Sequence, residues 1–255
     1  MDLVARLRAA GCVYAENEAA VLTAEASDSG HLEQMLARRI GGEPLEQVVG
    51  WAKFTGLRLA VTPGVFVPRR RTEALAREAV AVTPPAGRVL DLCCGVGAVA
   101  AAIRTSRPDA DLHLSDIDPF AVDCARHNVP SAAAHTGDLF DPLPRGLQFD
   151  VIAANAPYVP TDHIAQMPPE ARHHELRAAL DGGPDGVQVH RRIAAGLGSW
   201  LAPGGHLLIE TAEHLAPLTA AALHRAGLAT RTIHDEALGA TVVTGISGGA
   251  AEENA

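Results

Sequence analysis

The stretch Asp150-Val-Ile-Ala-Ala-Asn-Ala-Pro-Tyr-Val-Pro160 places an amide, an aromatic ring and two prolines directly after a short apolar run. The run, residues 150–154, predicts a buried central strand. Residues that follow such a strand lie where open α/β sheets bind their ligands. Pro157 has a fixed backbone angle and disfavours helix at the residue before it, so the turn is stiff. We therefore predict that Asn155, Ala156, Pro157 and Tyr158, called the clamp below, hold a small planar group and form the catalytic site.

Strands and helices alternate along the chain from residue 88 onwards. The pattern of apolar residues predicts strands over 88–93, 111–116, 132–136, 150–154 and 206–210. It predicts helices over 98–104, 119–127, 187–200 and 215–226. This alternation is typical of α/β proteins with a parallel, doubly wound sheet. Two final strands, 229–234 and 241–246, have no helix between them, which predicts an antiparallel closing edge.

The first part of the chain has a different pattern. Helical spacing predicts helices over 3–10, 16–26 and 31–40, followed by a β-hairpin over 48–61. Thr72 is the predicted N-cap of a helix that ends near Val82. The predicted regions are therefore a helical region for substrate or partner binding over 1–47, a hairpin linker over 48–73, a main domain over 74–247 and a disordered tail over 248–255. The helical region is either a packing cap or a docking surface for a macromolecule.

The loop after the first strand of the main domain predicts a ligand site. Asp91-x-Cys93-Cys94-Gly95-x-Gly97, with Asp116 at the end of the next strand, has the layout of a dinucleotide or nucleoside site. Asp91 would repel a pyrophosphate, whereas it suits a cationic amino group such as that of S-adenosylmethionine. An ordinary turn with buried cysteines is the structural alternative. The predicted cofactor-binding residues are Asp91, Cys93, Cys94, Gly95, Val96, Gly97, Asp116, Ile117, Asp138, Leu139 and Asn155, with Asp138 either facing an adenine amino group or capping its loop.

Composition excludes several classes of function. The net charge of −9 argues against tight non-specific binding of nucleic acid, which requires many cationic contacts. No apolar run has membrane-spanning length, and no signal peptide is recognisable, so no membrane contact is predicted. The four cysteines include no C-x-x-C pair, which predicts reduced thiols and a cytoplasmic location. Histidines 163, 173 and 174 lack a further ligand at a recognisable spacing, so no metal site is predicted.

From about Gly42 to Gly245 the chain resembles the protein-(glutamine-N5) methyltransferase family of the HemK/PrmC type. The collinear matches are Gly42-Glu-Pro-Leu45 with Gly50 and Phe54 (entry hairpin), Pro63-Gly64 to Pro68-Arg69 with Thr72-Glu73 ("PG…PRPxTE"), residues 91–97 ("DLGTGSG"), Asp116, the clamp ("NPPY"), and the loops 180–186 and 201–205. The departures are Ala156 for a proline, Cys93 for a glycine, Arg70 and Arg71 for the proline and acid of "PRPET", Leu176 for a proline, and a short N-terminal region. These departures predict a divergent paralogue.

The resemblance implies a fold, a cofactor and a reaction. The fold is a class I S-adenosylmethionine-dependent methyltransferase with a seven-stranded, mostly parallel sheet. The implied reaction transfers a methyl group from S-adenosylmethionine to a glutamine side-chain amide in a release factor or ribosomal protein. The Asn155 side-chain oxygen and the Ala156 carbonyl accept the two amide hydrogens, and Tyr158 packs on the amide plane. Direct DNA binding is not expected, and a monomer is favoured.

Three consecutive arginines, residues 69–71, precede the helix that starts near Thr72. Positive charge at a helix start opposes the helix dipole, so these residues either meet an anion or form a solvated surface. We predict that Phe66, Arg69 and Arg70 contact the substrate or partner.

Two other functions are compatible with the same motifs. The first is methylation of the adenine amino group in nucleic acid with the same clamp. The second is a binding module that keeps the fold without catalysis, for which the changes at Ala156 and Cys93 leave room.

Overall fold

The computed structural model describes residues 2–248. Residues 249–255, which make up almost all of the predicted disordered tail, lie outside the described part. The described chain contains a helical N-terminal region, a two-stranded hairpin and a seven-stranded sheet covered by helices on both faces. No helix among residues 2–248 is long and apolar enough to cross a membrane.

The N-terminal region has its own small core. Its helices are α1 (Leu3–Ala9), α2 (Ala15–Glu25), α3 (Ser29–Ile40) and α4 (Leu45–Val49). Apolar side chains from all four helices pack together. The buried Arg39 pairs with Glu18 at 2.6 Å and with Glu170 at 2.7 Å, so it ties this region to a later helix, α8 (Pro169–His174).

The predicted β-hairpin over 48–61 is present, but its first strand starts at Trp51 and not at Val48. Residues 45–49 form α4, and the helix ends at Gly50, whose backbone has a left-handed φ of 79°. Glycine adopts this conformation without steric cost, so the chain turns there and the strands begin later. They are β1 (Trp51–Phe54) and β2 (Leu57–Ala60), paired antiparallel. Helix α4 crosses the predicted boundary between 47 and 48, and the division into regions stays a prediction.

Helix α5 (Thr72–Val82) begins one residue earlier than predicted, because Arg71 is its N-cap and Thr72 its first helical residue. The Thr72 hydroxyl accepts a hydrogen bond from the side chain of Asn155, so it does not serve as a helix cap. The sequence favoured Thr72 as the cap because threonine is common at that position. Its actual partner is distant in sequence.

The large sheet has the strand order β5-β4-β3-β6-β7-β9-β8. Its strands are β3 (Arg88–Leu92), β4 (Asp111–Asp116), β5 (Ala133–Thr136), β6 (Phe149–Ala154), β7 (Leu201–Thr211), β8 (Ala229–Asp235) and β9 (Ala240–Ile246). Strands β3 to β7 are parallel, whereas β9 is antiparallel to both β7 and β8. This confirms the predicted doubly wound sheet and its antiparallel closing edge.

Strand β7 is longer than the predicted 206–210. Its pairing with β6 jumps from Phe149–Leu201 to Val151–His206, so the Pro203-Gly204-Gly205 segment forms an irregularity inside the strand and not a turn before it. Extra residues of this kind are accommodated in a strand as a bulge.

The remaining helices cover the two faces of the sheet. They are α6 (Ala98–Ser106), α7 (Pro119–Asn128), α9 (Gln188–Gly196) and α10 (Ala216–Arg225). One core lies between the sheet and α5, α6 and α7, and a second lies under α9 and α10. The predicted helix 187–200 ends at Gly196, and residues 198–200 form a separate 3₁₀ turn. Together the two layers fix the carboxyl ends of β3, β4 and β6, and the loop after β5, around one cavity.

Candidate active site

A cavity of about 360 Å³ opens at the carboxyl edge of the parallel strands. This volume falls in the range of small-molecule sites. The structure brings together the clamp and all predicted cofactor-binding residues except Gly97, which lies next to the cavity at the start of α6. The lining also includes side chains that sequence reasoning did not assign, among them Thr72, Arg71 and Arg192.

The loop between β3 and α6 is a tight turn built from left-handed residues. Cys93, Gly95 and Gly97 have φ values of 57°, 52° and 76°. A Cβ added at Gly97 would lie 3.1 Å from the Cβ of Ala125, so glycine is required there for close packing as well as for its backbone angle. Cys93 adopts the same backbone region with a side chain, which carries a steric cost. Burial raises the pKa of both Cys93 and Cys94 well above the usual thiol range, so both are protonated thiols.

Asp91 lies at the end of β3 and is only 3% exposed. One carboxyl oxygen accepts the backbone N–H of Ala100 at 2.9 Å. Burial nevertheless dominates and raises the pKa of Asp91 to about 8. A buried acid with a raised pKa in a cavity favours a cationic partner, because a positive charge would restore the ionised form.

Asp116 ends the neighbouring strand β4 and closes the same side of the cavity. Its carboxylate accepts the backbone N–H of Gly95 at 2.9 Å and that of Asp118 at 3.0 Å. Burial raises the pKa of Asp116 above its usual value. The next residue, Ile117, is 58% exposed although it is apolar and lines the cavity. An acid that is fixed by backbone amides beside an exposed apolar residue is suited to a nucleoside, with the acid at the ribose and the apolar side chain against the base.

Asp138 and Leu139 complete this half of the cavity. Asp138 forms an ion pair with Arg192 at 2.5 Å, and the carbonyl of Leu139 accepts the hydroxyl of Ser115 at 2.9 Å. The prediction left Asp138 either facing a base or capping its loop. The ion pair with Arg192 of α9 holds the Asp138 carboxylate at the cavity wall. A contact between Asp138 and a base stays a prediction.

The clamp follows β6 and lies at the other half of the cavity. The side-chain NH2 of Asn155 donates to the Thr72 hydroxyl at 3.2 Å. The Tyr158 hydroxyl donates to Glu210 at 3.3 Å, and the Arg71 guanidinium lies 5.7 Å from the Tyr158 ring centre. Ala156 is buried, and the His190 ring of α9 lies near the clamp, with its centre 6.4 Å from that of the Tyr158 ring. Burial lowers the pKa of His190 to about 4. The clamp is therefore held from α5, β7 and α9 at once.

The three consecutive arginines have different partners. Arg69 pairs with the buried Glu175 at 2.6 Å and lies over the Phe66 ring at 4.9 Å from its centre. Arg71 pairs with the buried Glu210 at 3.2 Å. The anions that Arg69 and Arg71 meet are thus carboxylates of the same chain. Phe66 and Arg69 line the cavity, whereas Arg70 is exposed and lies outside the cavity lining described for residues 2–248.

Glu210 is the main residue that sequence reasoning missed. It ends the predicted strand 206–210 as a single acid after the apolar run Leu207-Leu-Ile209. That position, at the carboxyl end of a buried parallel strand, was the available signal, because it is where such sheets place functional groups. Arg71 and His190 carry no comparable signal, since their roles depend on contacts with distant segments. Thr72 was marked only as a predicted helix cap and as part of the family motif.

Comparison with known proteins agrees with this geometry. The family model described as Methyltransferase small domain matches residues 57–174. The release factor glutamine methyltransferase of Geobacter sulfurreducens is 39% identical over 180 residues, which is 69% of this chain and 63% of that protein. The protein of the same name from Gloeobacter violaceus is 37% identical over 207 residues, which is 76% of this chain and 72% of that protein. A methyltransferase structure from Pyrococcus furiosus superposes with a TM-score of 0.58 at 14% identity, covering 85% of this chain and 99% of that one.

The sheet order, the loop after β3 and the cavity at the strand ends define the fold of the class I S-adenosylmethionine-dependent methyltransferases. The matched segment spans less than two thirds of the length of the Geobacter relative. The chain belongs to the release factor glutamine methyltransferase family. This confirms the resemblance that the collinear motifs indicated.

Proposed function

We propose that this chain transfers a methyl group from S-adenosylmethionine to the side-chain amide nitrogen of a glutamine in a release factor. The main support for the proposal is the clamp, which follows the carboxyl end of β6 and lines the same cavity as Asp91 and Asp116. Family membership supports the same reaction, since the relatives are named for glutamine methylation of release factors. We therefore propose a release factor, and not a ribosomal protein, as the substrate.

The residues present fit the cofactor. Asp91 supplies a buried acid for an α-ammonium group, and Asp116 supplies a fixed acid for ribose hydroxyls. Gly97 leaves room beside Ala125 that a Cβ would fill, so the loop packs closely against α7. S-adenosylmethionine, when bound, supplies an activated methyl group on a positively charged sulfur. The predicted cofactor contacts of Val96, Cys94 and the other loop residues are part of this proposal.

The clamp solves a specific chemical problem. An amide nitrogen is a weak nucleophile because its lone pair is delocalised into the carbonyl group. In our proposal the Asn155 side-chain oxygen and the Ala156 carbonyl accept the two N–H hydrogens, and Tyr158 packs against the amide plane. This arrangement turns the nitrogen lone pair towards the methyl donor. Alignment of this kind contributes about 7–11 kcal/mol in favourable cases, and fixed dipoles add to it.

A proton must also leave the nitrogen. The alkylated amide nitrogen is acidic and releases its proton to water, so the proposal assigns no side chain as general base. Consistent with this, burial raises the pKa of Tyr158, which keeps its hydroxyl protonated and donating to Glu210. We also propose a cytoplasmic location, which the four free cysteines support.

The proposal is tested with purified protein, methyl-labelled S-adenosylmethionine and a purified bacterial release factor. We expect label on one glutamine, identified by mass spectrometry, and none when that glutamine is replaced. Asn155→Ala should lower kcat by on the order of 100-fold, as loss of one fixed transition-state contact does, with cofactor affinity nearly unchanged. A DNA duplex offered in parallel serves as the alternative substrate. Label on DNA, or full turnover by Asn155→Ala, would overturn the proposal.

A further inference from the structure

Asn128 is the last residue of α7, and its side chain bridges two segments that are distant in sequence. Its Nδ2 atom donates to the carbonyl of Ala60 at 3.0 Å and to the carbonyl of Val96 at 2.9 Å. Its Oδ1 atom accepts the backbone N–H of Ala60 at 2.8 Å. Ala60 ends strand β2 of the hairpin, and Val96 belongs to residues 93–97, called the cofactor loop below. The Asn128 amide therefore connects the hairpin with the cofactor loop.

The partners of the Asn128 amide fix its orientation. The NH2 group carries two donors, and each of them faces a carbonyl oxygen. Turning the amide over would place Oδ1 against these two carbonyls and the NH2 group against the N–H of Ala60. All three contacts would then be repulsive, so the bridge has one hydrogen-bonded arrangement.

The cofactor loop is held from two sides. On one side, strand β4 supplies the acceptors: the Cys94 N–H donates to the Ser115 carbonyl at 3.1 Å, and the Gly95 N–H donates to Asp116 at 2.9 Å. On the other side, Asn128 holds the carbonyl of Val96. No other hydrogen bond to this carbonyl is found among residues 2–248, and Val96 is buried. Loss of the Asn128 donor would therefore leave a buried carbonyl unpaired, which is costly.

The shape of the cofactor loop depends on such contacts. Cys93 has a left-handed φ of 57° although it carries a side chain, and a backbone of this kind persists only when its surroundings impose it. Val96 lines the cavity together with Asp91 and Asp116. A loop that relaxes in the free protein must be ordered again when the ligand binds, and this ordering weakens affinity. The Asn128 contact should therefore act on cofactor affinity and not on the chemical step.

On the hairpin side, Asn128 pairs with Ala60 as a neighbouring strand would, through both the N–H and the carbonyl. The Cys124 thiol, also on α7, donates to the same carbonyl at 3.2 Å. The hairpin in turn contacts the N-terminal region, where Arg58 of β2 pairs with Glu25 of α2 at 2.7 Å. The bridge at Asn128 is thus a direct contact between the cofactor loop and the segment that leads from the N-terminal region.

We propose that Asn128 is a positioning residue that holds the cofactor loop in its binding conformation and couples this loop to the hairpin. Cofactor binding then stabilises the bridge to the hairpin, and the intact bridge strengthens cofactor binding by the same factor, because coupling between two sites is reciprocal. This inference goes beyond the proposed function, since it does not depend on which substrate is methylated.

The first test measures cofactor affinity in Asn128→Leu, which keeps the approximate shape and removes all three hydrogen bonds. We expect the Kd for S-adenosylhomocysteine to rise about tenfold, the size of one lost buried hydrogen bond. With saturating S-adenosylmethionine, kcat should stay within about twofold, so the loss appears in the KM for the cofactor. Asn128→Asp keeps an acceptor for the Ala60 N–H but places an oxygen against both carbonyls. It should bind the cofactor no better than Asn128→Leu.

Gln47→Met is the matched control. The Gln47 side chain is buried, and its Nε2 atom also bridges two carbonyls, those of Val65 at 3.0 Å and His174 at 3.3 Å. Gln47 does not line the cavity described for residues 2–248. Chemical denaturation measures the stability cost of each variant, and Gln47→Met should keep the wild-type Kd for S-adenosylhomocysteine. An unchanged Kd in Asn128→Leu would overturn the proposal. Equal increases in both variants would also overturn it, because general destabilisation would then explain them.

A hydrogen-exchange experiment tests the coupling without any substrate. The Ala60 amide donates to Asn128 Oδ1, so its exchange reports opening of the bridge. We expect S-adenosylhomocysteine to slow this exchange in the wild type. An amide of β8 that exchanges by local opening, at the far edge of the large sheet, should not respond. In Asn128→Leu the Ala60 amide should exchange rapidly with or without the ligand.

The exchange result separates this inference from the proposed function. If the ligand leaves the Ala60 exchange rate of the wild type unaltered, the coupling is refuted even when the enzyme methylates a release factor. Slower exchange in a protein that methylates no release factor keeps the coupling and removes the proposed function.

Discussion

Asp91 gives a quantitative prediction for cofactor binding. Burial raises its pKa to about 8 in the free protein, so about nine tenths of the molecules carry a protonated Asp91 at pH 7. A bound α-ammonium group favours the ionised form and lowers the pKa of Asp91. Binding at pH 7 should therefore release about 0.9 proton from this group.

The direction in which cofactor affinity changes with pH follows from the raised pKa of Asp91. Below pH 8 the free protein must lose a proton before it binds well, so affinity should rise about tenfold per pH unit between pH 6 and 7. The ligand's own α-amino group has an ordinary pKa of about 7.7–8.0. It loses its charge above that pH, and affinity should fall again. The maximum is therefore expected near pH 8, where net proton release changes to net proton uptake.

Isothermal titration calorimetry with S-adenosylhomocysteine, which has the same amino group, measures both quantities. Titrations at each pH in two buffers of different ionisation enthalpy give the number of protons exchanged. Asp91→Asn should bind more weakly at pH 8 and lose the tenfold slope, while any residual slope reports Asp116, whose pKa is also raised. A wild-type affinity that is flat from pH 6 to 7.5, or a full slope that persists in Asp91→Asn, would refute the reasoning.

Three further predictions concern stability. Arg39→Ala should cost about 3–5 kcal/mol in chemical denaturation, because it leaves the buried Glu18 without its partner; a loss below about 1 kcal/mol would contradict this. Gly97→Ala should cost more than Gly204→Ala, since both glycines have left-handed φ angles but only Gly97 would place its Cβ against a neighbour, and equal losses would count against the packing argument. His190 stays neutral when folded with a pKa of about 4, so its stabilising contribution is complete above pH 6.5 and is lost as the pH falls to 4. Between pH 7 and pH 4 the free energy of unfolding should fall by about 3 kcal/mol more in the wild type than in His190→Gln. Equal decreases in the two proteins would show that His190 does not titrate in this way.

The local sequence pattern was sufficient to predict much of the fold. Strand β4 was predicted with its observed bounds, and β6 differs from its prediction by one residue at the start. Strand β6 ends in a continuous apolar run and β4 alternates leucines with polar residues, so both were recognisable from nearby sequence alone. The position of the clamp followed from the end of β6 in the same way. By contrast, α4 was missed because Val48 and Val49 are β-branched and favoured a strand, while Pro44 and the left-handed Gly50 determine a short helix.

The ion pairs around the cavity could not be predicted from the sequence pattern. Arg69 and Glu175 are separated by 106 residues, and Arg71 and Glu210 by 139. Nothing local specifies which acid meets which arginine, since an ion pair depends on where the folded segments meet. Arg70 and Arg71 illustrate this. We predicted a partner contact for Arg70 and assigned no role to Arg71, whereas the structure pairs Arg71 with Glu210 of β7.

The order of strands at the closing edge has a consequence for biosynthesis. Strand β8 leaves the ribosome before β9, yet β9 is the strand that lies between β7 and β8. Until residues 240–246 have emerged, the nascent β8 has no neighbour in the sheet, and β7 presents an open edge of unpaired backbone N–H and C=O groups. This interval is when the growing chain is most exposed to aggregation and to chaperone capture.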